Sequence, residues 1–161
     1  MSTEETKPTR VIFLDIDGPV IPFGQYIINR NASWTRDLAD IPFAIIKELQ
    51  KKTAAVIVFN TTHNIPIEGI DDIKDIFIKN GMPKEAFHED DRTQFPHFTT
   101  RLKAILDWLE NHPEVTDWVA LDDELFTNRD WLIHVDFNTG ITPIHMNAVY
   151  KAFGMKEGFF L

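Results

Sequence analysis

An α/β fold with a central parallel sheet flanked by helices is predicted for this chain by three observations. Short apolar, β-branched runs alternate with amphipathic segments of helical period. The apolar runs show little polar alternation, as expected of strands that are buried on both faces. Two of these runs end in paired aspartates, where ligands bind in such sheets. We therefore expect one α/β domain over residues 10–161, after a disordered lead over residues 1–9.

The composition is that of a globular protein with an acidic balance. Of the 161 residues, 43% are hydrophobic and 25% are charged, which fits a single domain with a sizeable core. The absence of cysteine excludes disulfides and thiolate metal sites. A formal charge of −9 argues against broad non-specific binding to nucleic acid, although it leaves room for a small basic patch. No apolar run is long enough for a membrane span or a signal peptide, so we expect a cytoplasmic protein.

The first half of the chain predicts two buried strands and two helices. The apolar runs 10–16 and 54–60 predict the strands. Prolines, asparagines and a glycine interrupt residues 18–40, so this segment is expected to be irregular. A helix is expected after Asp40, a suitable N-cap with Pro42 in the first turn. A second helix is expected over 69–79, with acidic residues near its start and Asn-Gly after its end.

The second half predicts two more strands and two more helices. Residues 82–98 resemble a loop, with room for a short strand over 85–88. The clearest helix is 100–111, in which apolar residues recur at i, i+3, i+4 and i+7. The remaining elements are strands over 118–123 and 131–137 and a helix over 143–153.

Four carboxylates are expected to meet at the carboxyl edge of the sheet if the strands that carry them are neighbours. They belong to Asp15, Asp17, Asp122 and Asp123, and the second strand adds the hydroxyls of Thr61 and Thr62. Such carboxylates repel one another unless some are protonated or a cation is present. Oxygen ligands favour a hard ion, most often Mg²⁺. One carboxylate could then attack phosphorus while a second transfers the proton.

Three motifs in this order resemble those of the haloacid dehalogenase-like (HAD) phosphohydrolase superfamily. "VIFLDIDGPV" resembles its first motif, "VFNTTHN" lies where the second belongs, and "VALDDE" resembles the acidic fourth. The stretches "RLKAILDWLENHPEVTDWVALDDE" and "VDFNTGIT" are similar to the small HAD domain associated with Swiss Army knife RNA-repair proteins. The resemblance implies a Rossmann-like HAD fold with a minimal cap domain or none.

The resemblance also implies roles for individual residues. Asp15 would be the nucleophile and a Mg²⁺ ligand. Asp17 would be the general acid/base, with its backbone carbonyl on the metal. Asp122 or Asp123 would complete the metal site, and Thr61 would form hydrogen bonds to the phosphoryl oxygens.

The residue that fills the second-motif position is open by one place, because Asn60 could take the position of the Thr61 hydroxyl. Gly18, Thr62 and His63 are expected beside the substrate, although His63 also fits a simple turn residue. Related domains commonly have a Ser-Ser-Trp-Arg-like stretch here, whereas this chain has Thr-Thr-His-Asn. The arginine that would contact phosphate or substrate is therefore missing.

The third motif should supply a cation, and either Arg101 or Lys103 can do so. They flank the apolar stripe of their helix on opposite sides, so helix geometry does not choose between them. Pro19 is a further departure from the family pattern, since proline removes a backbone N–H that could hold the phosphoryl group.

A Mg²⁺-dependent, nearly capless phosphatase is the function that the sequence favours. Its substrate would be a phosphorylated small molecule such as a nucleotide, or a nucleic-acid end, which Phe23, Tyr26 or Trp34 could contact. Pro19 and the altered second motif support an alternative, a HAD-fold binding or regulatory protein with little turnover. A third reading is an interaction module that uses its acidic face. The sequence leaves the oligomeric state open.

Overall fold

Five parallel strands form the central sheet, in the order β3-β2-β1-β4-β5. The computed structural model describes residues 9–28, 38–97 and 99–156. The strands are β1 (Thr9–Leu14), β2 (Val56–Phe59), β3 (Phe87–Arg92), β4 (Val115–Asp122) and β5 (Leu132–His134). The helices are α1 (Phe23–Ile28), α2 (Asp40–Thr53), α3 (Ile73–Lys79), α4 (Arg101–Glu110) and α5 (Pro143–Ala152). The predicted α/β class with a parallel sheet is confirmed.

The two faces of the sheet are both covered, because successive residues of the central strand β1 enter two different apolar clusters. Ile12 and Leu14 pack into the cluster that contains the apolar faces of α2, α3 and α5. Val11 and Phe13 point the other way and pack against α4. Burial on both faces explains why β1 lacks polar alternation.

Helix α4 agrees with its prediction to within one residue at each end. Thr100 precedes it as N-cap, and its hydroxyl accepts a hydrogen bond from the backbone N–H of Lys103 at 3.3 Å. Helix α2 begins at Asp40 with Ala39 as N-cap, so the prediction of Asp40 as N-cap is wrong by one position. Asp40 instead lies in the first turn, where its negative charge complements the helix dipole.

Three further boundaries differ from the sequence pattern. Helix α3 begins at Ile73 and not near residue 69, since the Asp72 carboxylate caps it by accepting from the Lys74 N–H at 3.0 Å. Strand β5 covers only residues 132–134 of the predicted 131–137. Strand β4, by contrast, begins at residue 115, before the apolar run that predicted it.

The edge strand β3 and the short helix α1 were poorly predicted. Strand β3 is polar because it lies at the sheet edge, so only its first two residues fall in the predicted 85–88. Helix α1 lies in a segment predicted to be irregular. Trp34 and residues 1–8 lie outside the described residues, whereas Thr9, predicted as part of the lead, begins β1. No helix in the described ranges is long and apolar enough to cross a membrane.

The ends of β1, β2 and β4 lie side by side, and this register positions the candidate site. Leu14 pairs with Phe59 on one side and with Leu121 on the other. The ladder continues one residue further, since the Asp15 N–H donates to the Leu121 carbonyl and the Asn60 N–H to the Leu14 carbonyl, both at 3.0 Å. The residues that follow these strands therefore share one crevice.

Candidate active site

Three carboxylates meet where β1 and β4 end. Ligand atoms of Asp15, Asp122 and Asp123 all lie within 4.8 Å of one another. Asp15 is 2% exposed and Asp122 is 1% exposed, so water cannot screen their mutual repulsion effectively. The predicted convergence of these three residues is thus present in the fold.

The two oxygens of Asp15 have different surroundings. Its Oδ1 accepts a hydrogen bond from the Ile16 N–H at 2.8 Å. Its Oδ2 is buried and finds no hydrogen-bond partner among the described residues. Arg101 Nη1 is 3.5 Å away from this Oδ2, which is ion-pair distance. One oxygen thus fixes the carboxylate, and the other remains available for a ligand or for nucleophilic attack.

The three carboxylates have too little positive charge nearby to stay ionised together. Burial raises the pKa of Asp15 well above its usual range, and the charge of Asp122 raises it further, against the opposing effect of Arg101. Burial likewise raises the pKa of Asp122 to about 7, although Arg101 acts to lower it. A protonated Asp15 would be a poor nucleophile. The unpartnered oxygen and the all-oxygen donor set fit a divalent cation such as Mg²⁺, which would restore the ionised form.

The structure brings Arg101, and not Lys103, to the carboxylates. Arg101 Nη1 lies 3.0 Å from Asp122 Oδ2, and its side chain is only 13% exposed. The Lys103 side chain is 66% exposed and pairs with Asp107 one turn further along α4. The alternative that the sequence left open is therefore resolved in favour of Arg101 as the cation beside the cluster.

Arg101 is itself held from two other directions. Its Nε donates to Glu124 Oε2 at 2.9 Å, and its guanidinium lies 4.5 Å from the ring centre of Phe95. The backbone N–H of Glu124 donates in turn to Asp122 Oδ1 at 2.9 Å. Sequence reasoning missed Glu124, although its position directly after the Asp-Asp pair was a usable signal.

Asp17 lies in a different environment from the three clustered carboxylates. Its Oδ1 accepts a hydrogen bond from the Tyr26 hydroxyl and is 3.0 Å from His63 Nε2. Burial acts to raise the pKa of Asp17, but hydrogen bonds from His63 and Tyr26 outweigh it, so the pKa is lowered. The ionised form of Asp17 is therefore favoured, as a base that accepts a proton from water requires.

The second-motif hydroxyl at the cluster is Thr61. Thr61 is fully buried, and its side chain acts to lower the pKa of Asp15. The Asn60 side chain is engaged elsewhere, since its Oδ1 accepts from the Thr93 hydroxyl at 2.6 Å and its Nδ2 donates to the Arg101 carbonyl at 3.4 Å. Asn60 therefore anchors the start of α4, which favours Thr61 over Asn60 beside the phosphoryl group.

The three residues predicted beside the substrate have separate positions. Thr62 is exposed in the turn that follows β2. His63 contacts Asp17, so it is more than a turn residue. Gly18 uses its N–H within its own loop, where it donates to the Ile21 carbonyl at 2.9 Å. Substrate contact by these residues stays a prediction.

Gly18 is required for a reason that the sequence did not suggest. Its φ of +99° is unfavourable for other residues, and a Cβ there would lie 2.7 Å from the Asp123 Cβ. Pro19 sits in the same tight turn, and its carbonyl accepts from the Ile141 N–H at 3.0 Å. The glycine thus allows the loop after β1 to pass directly against a carboxylate of the cluster.

The fold and the site define a HAD-type protein: a parallel α/β sheet with an Asp-x-Asp-Gly loop, a threonine, an arginine and an acidic pair at its carboxyl edge. A family model described as the HAD domain in Swiss Army Knife RNA repair proteins matches residues 11–146 of the 161-residue chain. The chain belongs to this family, as its motifs predicted. Membership points to phosphohydrolase-type chemistry. Comparison with curated proteins found no match, and comparison with solved structures found none either.

Proposed function

We propose that the protein is a Mg²⁺-dependent phosphatase that hydrolyses a phosphate monoester through an aspartyl-phosphate on Asp15. The observation that carries the proposal is the buried oxygen Oδ2 of Asp15. It lacks a hydrogen-bond partner among the described residues and lies within a cluster of carboxylates that needs a cation. This arrangement is unfavourable for stability alone, and such strain is typical of functional sites.

In the first step, Asp15 Oδ2 attacks phosphorus and the bond from phosphorus to the ester oxygen breaks. The negative charge of the bound phosphate ester would raise the pKa of Asp17, so that Asp17 takes up a proton in the substrate complex. The departing oxygen takes this proton, and Asp17 becomes a carboxylate. In the second step, Asp17 removes a proton from water, and the resulting hydroxide attacks phosphorus. The bond between Asp15 and phosphorus then breaks, which regenerates Asp15 and releases phosphate.

The ligands for Mg²⁺ would be the carboxylates of Asp15 and of Asp122 or Asp123, together with the Asp17 carbonyl. When bound, the ion supplies positive charge that keeps Asp15 ionised and offsets the charge of the phosphoryl group. Arg101 would hold the phosphoryl oxygens from the α4 side, and Thr61 would donate its hydroxyl from the β2 side.

The substrate class that we favour is a phosphorylated nucleotide or nucleic-acid end. The support is the family itself, whose description refers to RNA repair. The segment between β1 and α2, residues 15–39, is too short in sequence for a large cap domain, which favours access by a bulky phosphate ester. The net charge of −9 argues that recognition would be local to the phosphate and its neighbours.

A HAD-fold binding protein with little turnover is the second candidate. The ion pairs of Arg101 favour the binding protein. This cation is already paired with Asp122 and Glu124, so it must reorient to receive a phosphoryl group. Pro19, which lacks an N–H, and the Thr-Thr-His-Asn sequence also remove possible phosphate donors.

Phosphate release from an aryl phosphate, with Mg²⁺ and with EDTA, distinguishes the two. We expect Mg²⁺-dependent turnover in the wild type and its loss in Asp15→Asn, which keeps the shape of the side chain but removes the nucleophile. Lys103→Ala is the matched control on the same helix as Arg101, and we expect it to retain activity. Absence of turnover with aryl phosphates, nucleotides and phosphorylated oligonucleotides would contradict the proposal. Mg²⁺-dependent binding of fluoroberyllate would then favour the binding protein.

A further inference from the structure

We propose that Tyr26 and His63 are positioning residues that hold Asp17 by one oxygen, so that its other oxygen, Oδ2, faces the leaving group. This inference rests on the proposed function, in which Asp17 is the general acid/base. It concerns residues outside the Asp-x-Asp loop that reach it from two separate elements.

Both contacts converge on the same atom of Asp17. The Tyr26 hydroxyl donates to Oδ1, and His63 Nε2 lies 3.0 Å from Oδ1. No described residue donates a hydrogen bond to Oδ2 of Asp17. Because the two donors approach one oxygen from different elements, they fix the rotation of the carboxylate group about its bond to Cβ.

The tautomer of His63 follows from its surroundings. A carboxylate oxygen only accepts hydrogen bonds, so Nε2 must carry the proton that is shared with Asp17. His63 Nδ1 is buried without a hydrogen-bond partner among the described residues. The contact with Asp17 is therefore the hydrogen bond that orients the His63 ring.

Tyr26 and His63 are each held in place by the element that carries them. Tyr26 belongs to α1, whose first residue, Phe23, donates its N–H to the Phe137 carbonyl at 2.9 Å. The rings of Phe23 and Phe137 lie 5.6 Å apart. His63 sits in a single turn of 3₁₀-helix whose cap is Thr61, which accepts from the His63 N–H at 3.3 Å. His63, which positions Asp17, is thus hydrogen-bonded to Thr61, which is proposed to hold the phosphoryl group.

Positioning of this kind has a specific kinetic consequence. A general acid matters most when the leaving oxygen is strongly basic, as in an alkyl ester or a sugar hydroxyl. It matters little when the leaving group is already stable as an anion, as in an activated aryl ester. A misoriented Asp17 should therefore slow the first step selectively for the first class of substrate. Because the second step is the same for both substrates, the selective loss is expected in kcat/KM, which reports the steps up to departure of the leaving group.

The test compares kcat/KM for an alkyl phosphate with kcat/KM for p-nitrophenyl phosphate in Tyr26→Phe, His63→Asn and the double variant. We expect kcat/KM to fall about 10- to 100-fold for the alkyl ester and less than about 3-fold for the aryl ester. His63→Gln, which keeps a side-chain N–H, should recover part of the loss. Tyr150→Phe is the matched control, since the buried Tyr150 hydroxyl finds no partner in the described ranges and should leave both substrates unchanged.

Asp17→Asn provides the second measurement. If Tyr26 and His63 act through Asp17, adding Tyr26→Phe to Asp17→Asn should cause no further change in the ratio of the two rates. Equal losses on both substrates, or additive losses in the Asp17→Asn background, would overturn the inference. Failure of the proposed function looks different, since the wild type would then show no turnover that depends on Asp15 with either substrate.

Discussion

Among the described residues, two clusters of potential metal-ligand side chains lie at opposite ends of the sheet, and they differ in how far the protein itself compensates their charge. The acidic cluster, Asp15, Asp122 and Asp123, follows the carboxyl ends of β1 and β4. The histidine cluster, His88, His112 and Glu114, lies near the amino ends of β3 and β4. In each cluster the ligand atoms are within 4.8 Å of one another, so proximity alone does not separate them.

The histidine cluster is satisfied by the protein itself. His88 Nδ1 accepts from the Asp90 N–H at 2.9 Å, which leaves the proton on Nε2, 3.3 Å from Glu114. His112 Nδ1 lies 2.6 Å from the Trp108 carbonyl, and its ring stacks on the Trp108 indole at 3.7 Å. A metal on His88 would have to displace the proton from Nε2 or break the backbone hydrogen bond at Nδ1.

The acidic cluster lacks such internal compensation. Burial raises the pKa of Asp15, and the Asp122 charge adds to the effect, while a single Arg101 opposes them. The lesson of the comparison is that a metal site is indicated by unmet charge and unpaired oxygens, and not by the residue types alone.

The largest effect is expected from Asp15→Asn, which should reduce Mg²⁺-dependent phosphate release by about 10³-fold or more because no nucleophile remains. The paired change in the other cluster, His112→Asn, should leave kcat/KM within about 2-fold, since it is remote from the chemistry. Steady-state phosphate release measures both. A comparable loss in His112→Asn would contradict the contrast between the clusters.

Arg101→Ala should be the next most damaging change. It removes the cation that opposes the repulsion of Asp15 and Asp122, and we expect kcat/KM to fall about 10²-fold. Lys103→Ala, two residues along the same helix, should change kcat/KM by less than about 2-fold, because that side chain is exposed and pairs only with Asp107 in the described structure. Equal losses in the two variants would place the functional cation elsewhere.

Mg²⁺ should stabilise the protein through the acidic cluster alone. At concentrations well above its Kd, we expect about 1–3 kcal/mol, measured as a rise in Tm of several degrees. Asp122→Asn should largely abolish the rise, whereas Glu114→Gln should retain it. Titration with Zn²⁺ sharpens the comparison, since stabilisation by Zn²⁺ that disappears in His112→Asn would show that the histidine cluster also binds metal.

The smallest effect is expected on the folding stability of the metal-free protein. Because the folded-state pKa of Asp122 is raised from 3.8 to about 7, the folded protein binds more protons than the unfolded chain between these values. Stability of the metal-free protein should therefore fall as pH rises through this window and level off above it. Asp15→Asn should reduce the fall and gain about 1–2 kcal/mol at pH 8, measured by chemical unfolding in EDTA. If Asp15→Asn were less stable than the wild type at pH 8, the inferred repulsion between Asp15 and Asp122 would be refuted.

Much of the fold was predictable because buried parallel strands and amphipathic helices leave strong local patterns. Helix 100–111 was predicted almost to the residue, since its cap and apolar stripe agree. Strand β3 was hardly predicted, because an edge strand can be polar and its pairing with β2 is a long-range property. The start of α3 was misplaced because an aspartate can either precede a helix or begin it.

The sequence by itself determined the residue types, their order after each strand and hence the family, because strand-end motifs are local. Only the tertiary structure decided which cation faces the carboxylates, since Arg101 and Lys103 are equivalent until α4 is packed on the sheet. It also decided that Tyr26 and His63 meet on Asp17. Those residues are 37 positions apart in the printed chain, and their convergence depends on how α1 and the turn after β2 are held over the sheet edge.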